Sequence, residues 1–144
     1  MKRFDSFRPT ALALATLALV LWVASRAVAH DFAFEANGDW AYTDVAAGEG
    51  VLTGRARPGG PYVGVFQHKN SGPHIDGTAV LVCNGGSLTF DYQALHDRAA
   101  GTWTGAFVVS GGTGIFEGVS GGGVLFIVDP GEAGSFNLSG ILSQ

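Results

Sequence analysis

Histidines, carboxylates and one cysteine hold most of the side-chain chemistry that this sequence of 144 residues could perform. His68 and His74 bracket His68-Lys69-Asn70-Ser71-Gly72-Pro73-His74, and a hairpin there could bring two imidazoles onto one metal ion. Two solvated loop histidines fit the same spacing. His30 follows Ala27-Val28-Ala29, a small-residue cleavage pattern. Processing at that point frees an α-amino group beside the imidazole, and this pair with a second histidine could chelate copper. Glu35, between Phe34 and Ala36, either points into a barrel mouth, where desolvation raises a carboxyl pKa, or blunts an edge strand as a surface charge. Asp76, Asp91, Asp97 and Glu117 lie in or beside strand-like runs, and a facing pair of them could serve acid–base chemistry on a glycoside. Alternation of Asp76 with Thr78, and of Asp91 with Thr89 and Gln93, assigns both to solvated faces instead. Cys83 ends the run Thr78–Val82; one cysteine makes no internal bridge, so it reads as a buried thiol, an intermolecular bridge or a nucleophile without a local base. The polar groups with a catalytic candidacy are therefore Glu35, Tyr92 and Cys83.

Aromatic residues offer binding rather than bond-making. Trp40, Tyr42, Tyr62, Phe66, Phe90, Tyr92, Trp103 and Phe107 can line the interior of a small barrel, and all but Tyr42 are taken as its ligand-binding set. A plain filled core wants the same residues, and both alternatives stay open at this level. Nucleotide motifs fail: Gly112-x-Gly114 is followed by Glu117 where a third glycine is needed, and no Gly-Lys-Ser/Thr occurs. The glycine-rich calcium repeat fails because Phe116 stands in the aspartate position, and there is no G-x-S-x-G elbow. Asn137-Leu138-Ser139 fits a glycosylation sequon but lies inside a strand-like run.

The elements that must position these groups are strands. After residue 30 no long segment has a helical apolar period. Short runs of Val, Phe, Thr and Tyr predict strands near Phe32–Ala36, Asp39–Thr43, Gly50–Arg57, Tyr62–Lys69, Ile75–Cys83, Ser87–Ala94, Thr102–Ser110, Gly122–Asp129 and Gly134–Leu142. Turn signals separate them at Asn37-Gly38, Pro58-Gly59-Gly60, Ser71-Gly72-Pro73, Asn84-Gly85-Gly86 and Asp129-Pro130-Gly131. The glycine-crowded Gly111–Gly123 reads as a corner between strands. Eight or nine such strands imply an antiparallel meander, closed as an eight-stranded barrel or, alternatively, folded as a β-sandwich. Ser87–Ala94 and Thr102–Val109 alternate apolar and polar residues, whereas Thr78–Val82 and Val124–Val128 are apolar on both faces. A strand apolar on both faces needs a second cover, and another subunit is the economical source, so a homo-oligomer is expected.

The front of the chain predicts its compartment. Residues 1–29 have the form of a secretory signal peptide, with Lys2, Arg3 and Arg8 ahead of the apolar run Ala11–Ala24 and cleavage expected before His30, or alternatively after Ala27. The remaining 115 residues suit one domain, 30–144. Removing four cations and one acid from a net charge of −4 leaves the remainder at −7. Such a surface has no basic footprint for nucleic acid or anionic lipid, so neither nucleic acid nor, after cleavage, a membrane is an expected partner. The expected location is secreted or periplasmic.

Gly111-Gly112-Thr113-Gly114-Ile115-Phe116-Glu117-Gly118-Val119-Ser120-Gly121, followed by a Gly-Gly-Val-Leu strand and a final Gly-Ser-Phe-x-Leu-x-Gly strand, resembles the allene oxide cyclase-like and dirigent-like barrel proteins. Members often carry a GGTG-x-F-x-GA-[ST]-G corner before their last two strands; here Val119 replaces the alanine, and Ile115 stands where a polar residue is common. The resemblance covers about the last 40 residues and implies an eight-stranded antiparallel barrel, often trimeric, with a mostly apolar cavity. Known members include cyclases and proteins guiding radical coupling, but none of their catalytic residues aligns with this chain. The copper arrangement at His30 is similar to the histidine brace of copper-dependent polysaccharide monooxygenases, which this short, disulfide-free chain otherwise departs from. Together these readings lead to a secreted barrel that binds an apolar or aromatic small molecule without a cofactor. An isomerase- or cyclase-like enzyme is the alternative, and a copper oxidase the minor one.

Overall fold

Strand-forming runs broken by glycine-bearing turns build one sheet that closes on itself. The computed structural model describes residues 28–144, so the leader reading of residues 1–27 lies outside the described residues. Eight strands follow in order: β1 (Asp31–Asp44), β2 (Glu49–Arg57), β3 (Gly60–Ser71), β4 (His74–Cys83), β5 (Gly86–Asp97), β6 (Thr102–Gly112), β7 (Ser120–Val128) and β8 (Ala133–Ser143). Each pairs antiparallel with its sequence neighbour, and β8 returns to pair with β1. The result is a closed barrel and not a sandwich.

The two short strands expected from Phe32 to Thr43 are one strand. Asn37 pairs with Arg55 on β2 and with Asn137 on β8, so ladder bonds on both sides override the local Asn37-Gly38 turn signal. Gly38 is there for clearance: a Cβ would meet the Thr53 carbonyl oxygen at 2.0 Å and the Tyr62 hydroxyl at 2.6 Å. Tyr62 lies across this spot and donates its O–H to the Asn37 carbonyl at 3.1 Å.

Inward-facing residues fill the barrel, and every buried residue among those described is apolar, Tyr or Cys. Phe34, Phe107 and Phe116 interlock edge to face, with Phe34 6.2 Å from Phe107 and 6.4 Å from Phe116. Each such ring contributes roughly 1.5–3 kcal/mol through burial. The glycine-rich corner between β6 and β7 folds Phe116 under this end, through a single 3₁₀ turn at Gly114–Phe116. Gly114 has φ +59°, and a Cβ there would sit 1.9 Å from the Gly85 carbonyl oxygen, so the corner needs glycine both for its conformation and for its close approach.

At the opposite end, the β1–β2, β3–β4, β5–β6 and β7–β8 connections surround a mouth. These connections and the strand ends beside them carry Asp44, Glu49, Asp97, Asp129 and Glu132, with Arg98 the one Lys or Arg among them. The outer faces carry uncovered apolar side chains: Val63 and Val65 on β3, Val82 on β4, Val108 on β6, Val124 and Phe126 on β7.

Candidate functional site

Period-two alternation puts the even-numbered residues of β1, β3 and β5 on the inner face, and each strand carries two successive rings along its inward row. These are Trp40 and Tyr42, Phe66 and His68, Phe90 and Tyr92. The intervening strands supply glycine at the same height. Gly50 pairs with both Tyr42 and Phe66, and Gly77 pairs with both His68 and Tyr92. A Cβ at Gly77 would meet Tyr92 Cζ at 2.6 Å and His68 Cβ at 2.7 Å. Its absence lets side chains two strands apart touch across it.

They form a hydrogen-bonded row. Tyr42 Oη lies 2.8 Å from His68 Nε2, and Tyr92 Oη lies 3.0 Å from His68 Nδ1. Burial lowers the His68 pKa, against a smaller opposing pull from Asp129, so the imidazole is neutral at pH 7. A neutral imidazole has one N–H and one lone pair. One tyrosine therefore donates to it, while the other accepts from it and keeps a free O–H to offer inward. Both hydroxyls stay protonated, because burial raises the pKa of Tyr92 and of Tyr42.

A second polar group faces the same space. Asp129 accepts from Trp103 Nε1 at 2.8 Å and from the Gly131 amide at 3.1 Å, which fixes its carboxylate at the rim. His96 stacks on Trp103 at 4.3 Å, and Trp40 Nε1 donates to the Val128 carbonyl. Trp40, Tyr42 and Phe66 meet at 5.2 to 6.4 Å with interplanar angles of 62° to 82°, as walls of a corner do. Below them Leu52, Ile75, Ala79, Leu125 and Leu138 make an apolar floor. The cavity is about 530 Å³ counted out into open solvent, of which about 50 Å³ admits the centre of a water molecule. The enclosed part, about 50 Å³, is below the ~150 Å³ that encloses a benzene ring, so the space is a shallow open mouth with a narrow inner end.

Of the residues expected to bind a ligand, Trp40, Phe66, Phe90, Tyr92 and Trp103 line this cavity. Tyr62 and Phe107 do not. Tyr62 packs on Phe136 at 6.3 Å, and Phe107 lies between Phe34 and Phe90 in the filled core. Glu35 is exposed on the outer face of β1, opposite in sense to Phe34 and Ala36, which corrects its placement at a barrel mouth. Cys83 is buried at the far end of β4, beside Phe116 and away from the cavity, and burial raises its pKa. The two-histidine metal reading is corrected as well. His68 points inward with both nitrogens engaged by tyrosines, while His74 is exposed. His30 sits at the opposite end of the barrel, its backbone paired with Gln144, so neither histidine reaches it for a copper brace.

Asp129 was legible only as a turn residue, because Asp-Pro-Gly is a turn signal whatever else the carboxylate does. His68 drew attention as a metal ligand, and its tyrosine partners, 26 and 24 residues away, carried no local signal. No protein-family model matches the chain, and no curated protein matches it. Among solved structures, a pterocarpan synthase dirigent protein is similar over 100% of this chain and 99% of its own, at 10% identity and a TM-score of 0.46. That likeness is too slight to carry residues or activity across.

Proposed function

We propose that this protein is a secreted or periplasmic barrel that binds a small apolar or aromatic molecule at the mouth lined by Trp40, Tyr42, Phe66, Tyr92 and Trp103. The observation that carries this reading is the cavity itself: an apolar floor, aromatic walls, and only a tyrosine hydroxyl and a carboxylate to orient what enters. A site of that kind selects by shape and by one or two hydrogen bonds. The uncovered outer faces of β3–β4 and β6–β7 serve, on the same reading, as contacts between copies of the chain.

Native mass spectrometry of protein recovered from its own cells tests the binding role. The expected spectrum holds an organic adduct, lost in Ala79→Leu, which fills the cavity floor while the far-ultraviolet dichroism of the barrel is kept. Adduct-free wild type that also leaves tryptophan fluorescence unmoved by a panel of small aromatics would count against it.

A second reading is catalytic and rests on the Tyr42–His68–Tyr92 row. A tyrosine backed by an imidazole can lend a proton to a ligand oxygen and recover it through the histidine, as isomerisation of a small carbonyl compound requires. Tyr92→Phe separates the two readings. It abolishes turnover if the row moves protons, and only weakens binding if the hydroxyl merely orients.

A further inference from the structure

The cavity holds a carboxylate with nothing cationic opposite it. Among the described residues no Lys or Arg lines the space, and His68, the one basic side chain there, is kept neutral by burial and by two tyrosine partners. Asp129 is held at the rim by Trp103 and Gly131, yet each of its oxygens has lone-pair capacity left. Its charge is felt inside, where it pulls the pKa of both Tyr42 and His68 upward.

Beside it stands the corner of Trp40, Tyr42 and Phe66. Their centroids are 5.2, 5.7 and 6.4 Å apart and their planes lie steeply to one another. A group seated in this corner lies within the roughly 6 Å over which a ring face attracts a cation. The faces of aromatic rings are the negative part of their charge distribution. A ring face open to this space presents the same sign as the carboxylate, although Phe66 has one face taken by His68, which stacks on it at 5.4 Å. The approach is negative too, since the connections around the mouth and the strand ends beside them carry five carboxylates and one arginine. Such a field concentrates cations at an entrance and repels anions.

We propose that the ligand of this cavity is an organic cation, a quaternary or protonated amine whose head sits in the Trp40–Tyr42–Phe66 corner against Asp129. This rests on the reading of the mouth as a small-molecule site and names the class of molecule. The free tyrosine O–H of the Tyr42–His68–Tyr92 row then has an acceptor oxygen on the ligand's body to bind.

The test pairs choline with 3,3-dimethylbutan-1-ol, the same shape with a neutral carbon in place of nitrogen, each titrated into the purified protein by calorimetry. Choline is expected to bind about tenfold more tightly. Asp129→Asn keeps an oxygen to accept from the Gly131 amide but turns its NH2 toward Trp103 Nε1, and it is expected to remove most of that difference by weakening choline more than the alcohol. Equal affinities of wild type for the two compounds overturn the cation assignment and leave the binding site standing. Tighter binding of the alcohol overturns it as well. Absence of binding by either compound into the millimolar range overturns the assignment, and the native adduct and the aromatic panel then decide the reading it rests on. The wild-type pair decides the matter even if the variant fails to fold.

Discussion

His68 is the residue on which the cavity's electrostatics turn. Its folded pKa lies below the usual 6.5 because burial disfavours the imidazolium. The unfolded chain therefore binds more protons than the native one as pH falls below 6.5, and stability falls with it. The stabilising preference is fully present above pH 6.5 and lost as pH drops through the folded pKa. His68→Gln, which keeps a donor and an acceptor, is expected to flatten this acid limb, as followed by urea denaturation at several pH values. An acid limb as steep in the variant as in the wild type would assign it to the carboxylates. Protonation also turns both ring nitrogens into donors, so both tyrosines must accept and the row rearranges before the barrel unfolds. Cys83 gives a simpler expectation at this scale. Buried against Phe116, with its pKa raised, it is inert to thiol reagents in the native protein and modified promptly in denaturant. Rapid labelling of the folded protein would mean that the end carrying the glycine-rich corner opens.

At the scale of elements, the barrel between β1 and β5 sets rings of the odd-numbered strands beside Gly50 and Gly77 of the even-numbered ones. Gly77→Ala tests that rule. The new methyl group would press on Tyr92, on His68 and on the Gln67 carbonyl 2.7 Å away. Overpacking of this kind costs about 1–3 kcal/mol, measurable as a lower denaturation midpoint, together with weakened ligand affinity as the His68–Tyr92 bond is broken. A fully stable variant with unchanged binding would show that β4 shifts to make room. The strands themselves were readable, because β5 and β6 alternate cleanly and Asn84-Gly85 marks the hairpin between β4 and β5. Asn37-Gly38 misled because a turn dipeptide is a local signal, while the ladder that overrides it comes from β2 and β8. The candidate site was only half legible for the same reason. Alternation tells which face Tyr42, His68 and Tyr92 occupy. The height at which they meet depends on register with Gly50 and Gly77, which no single segment encodes.

For the whole molecule, the balance lies between a filled interior and an outside still rich in valine. Val63 and Val124 are each 62% exposed, on β3 and β7. Val63→Glu and Val124→Glu are expected to convert an oligomer to monomers in sedimentation velocity with little loss of fold, since neither side chain reaches the core. Monomeric wild type at micromolar concentration would end that expectation. The closed ladder has one further result for handling the protein. His30 and Gln144 exchange backbone hydrogen bonds at 3.0 and 3.3 Å, at the end of the barrel away from the mouth. A tether, tag or sensor chip attached through Gln144 therefore holds the molecule by its base with the cavity facing outward. A short peptide from Gln144 back to His30 would make a circular chain, which could be reopened at an exposed connection such as Gly72 to give a permuted protein with the same site.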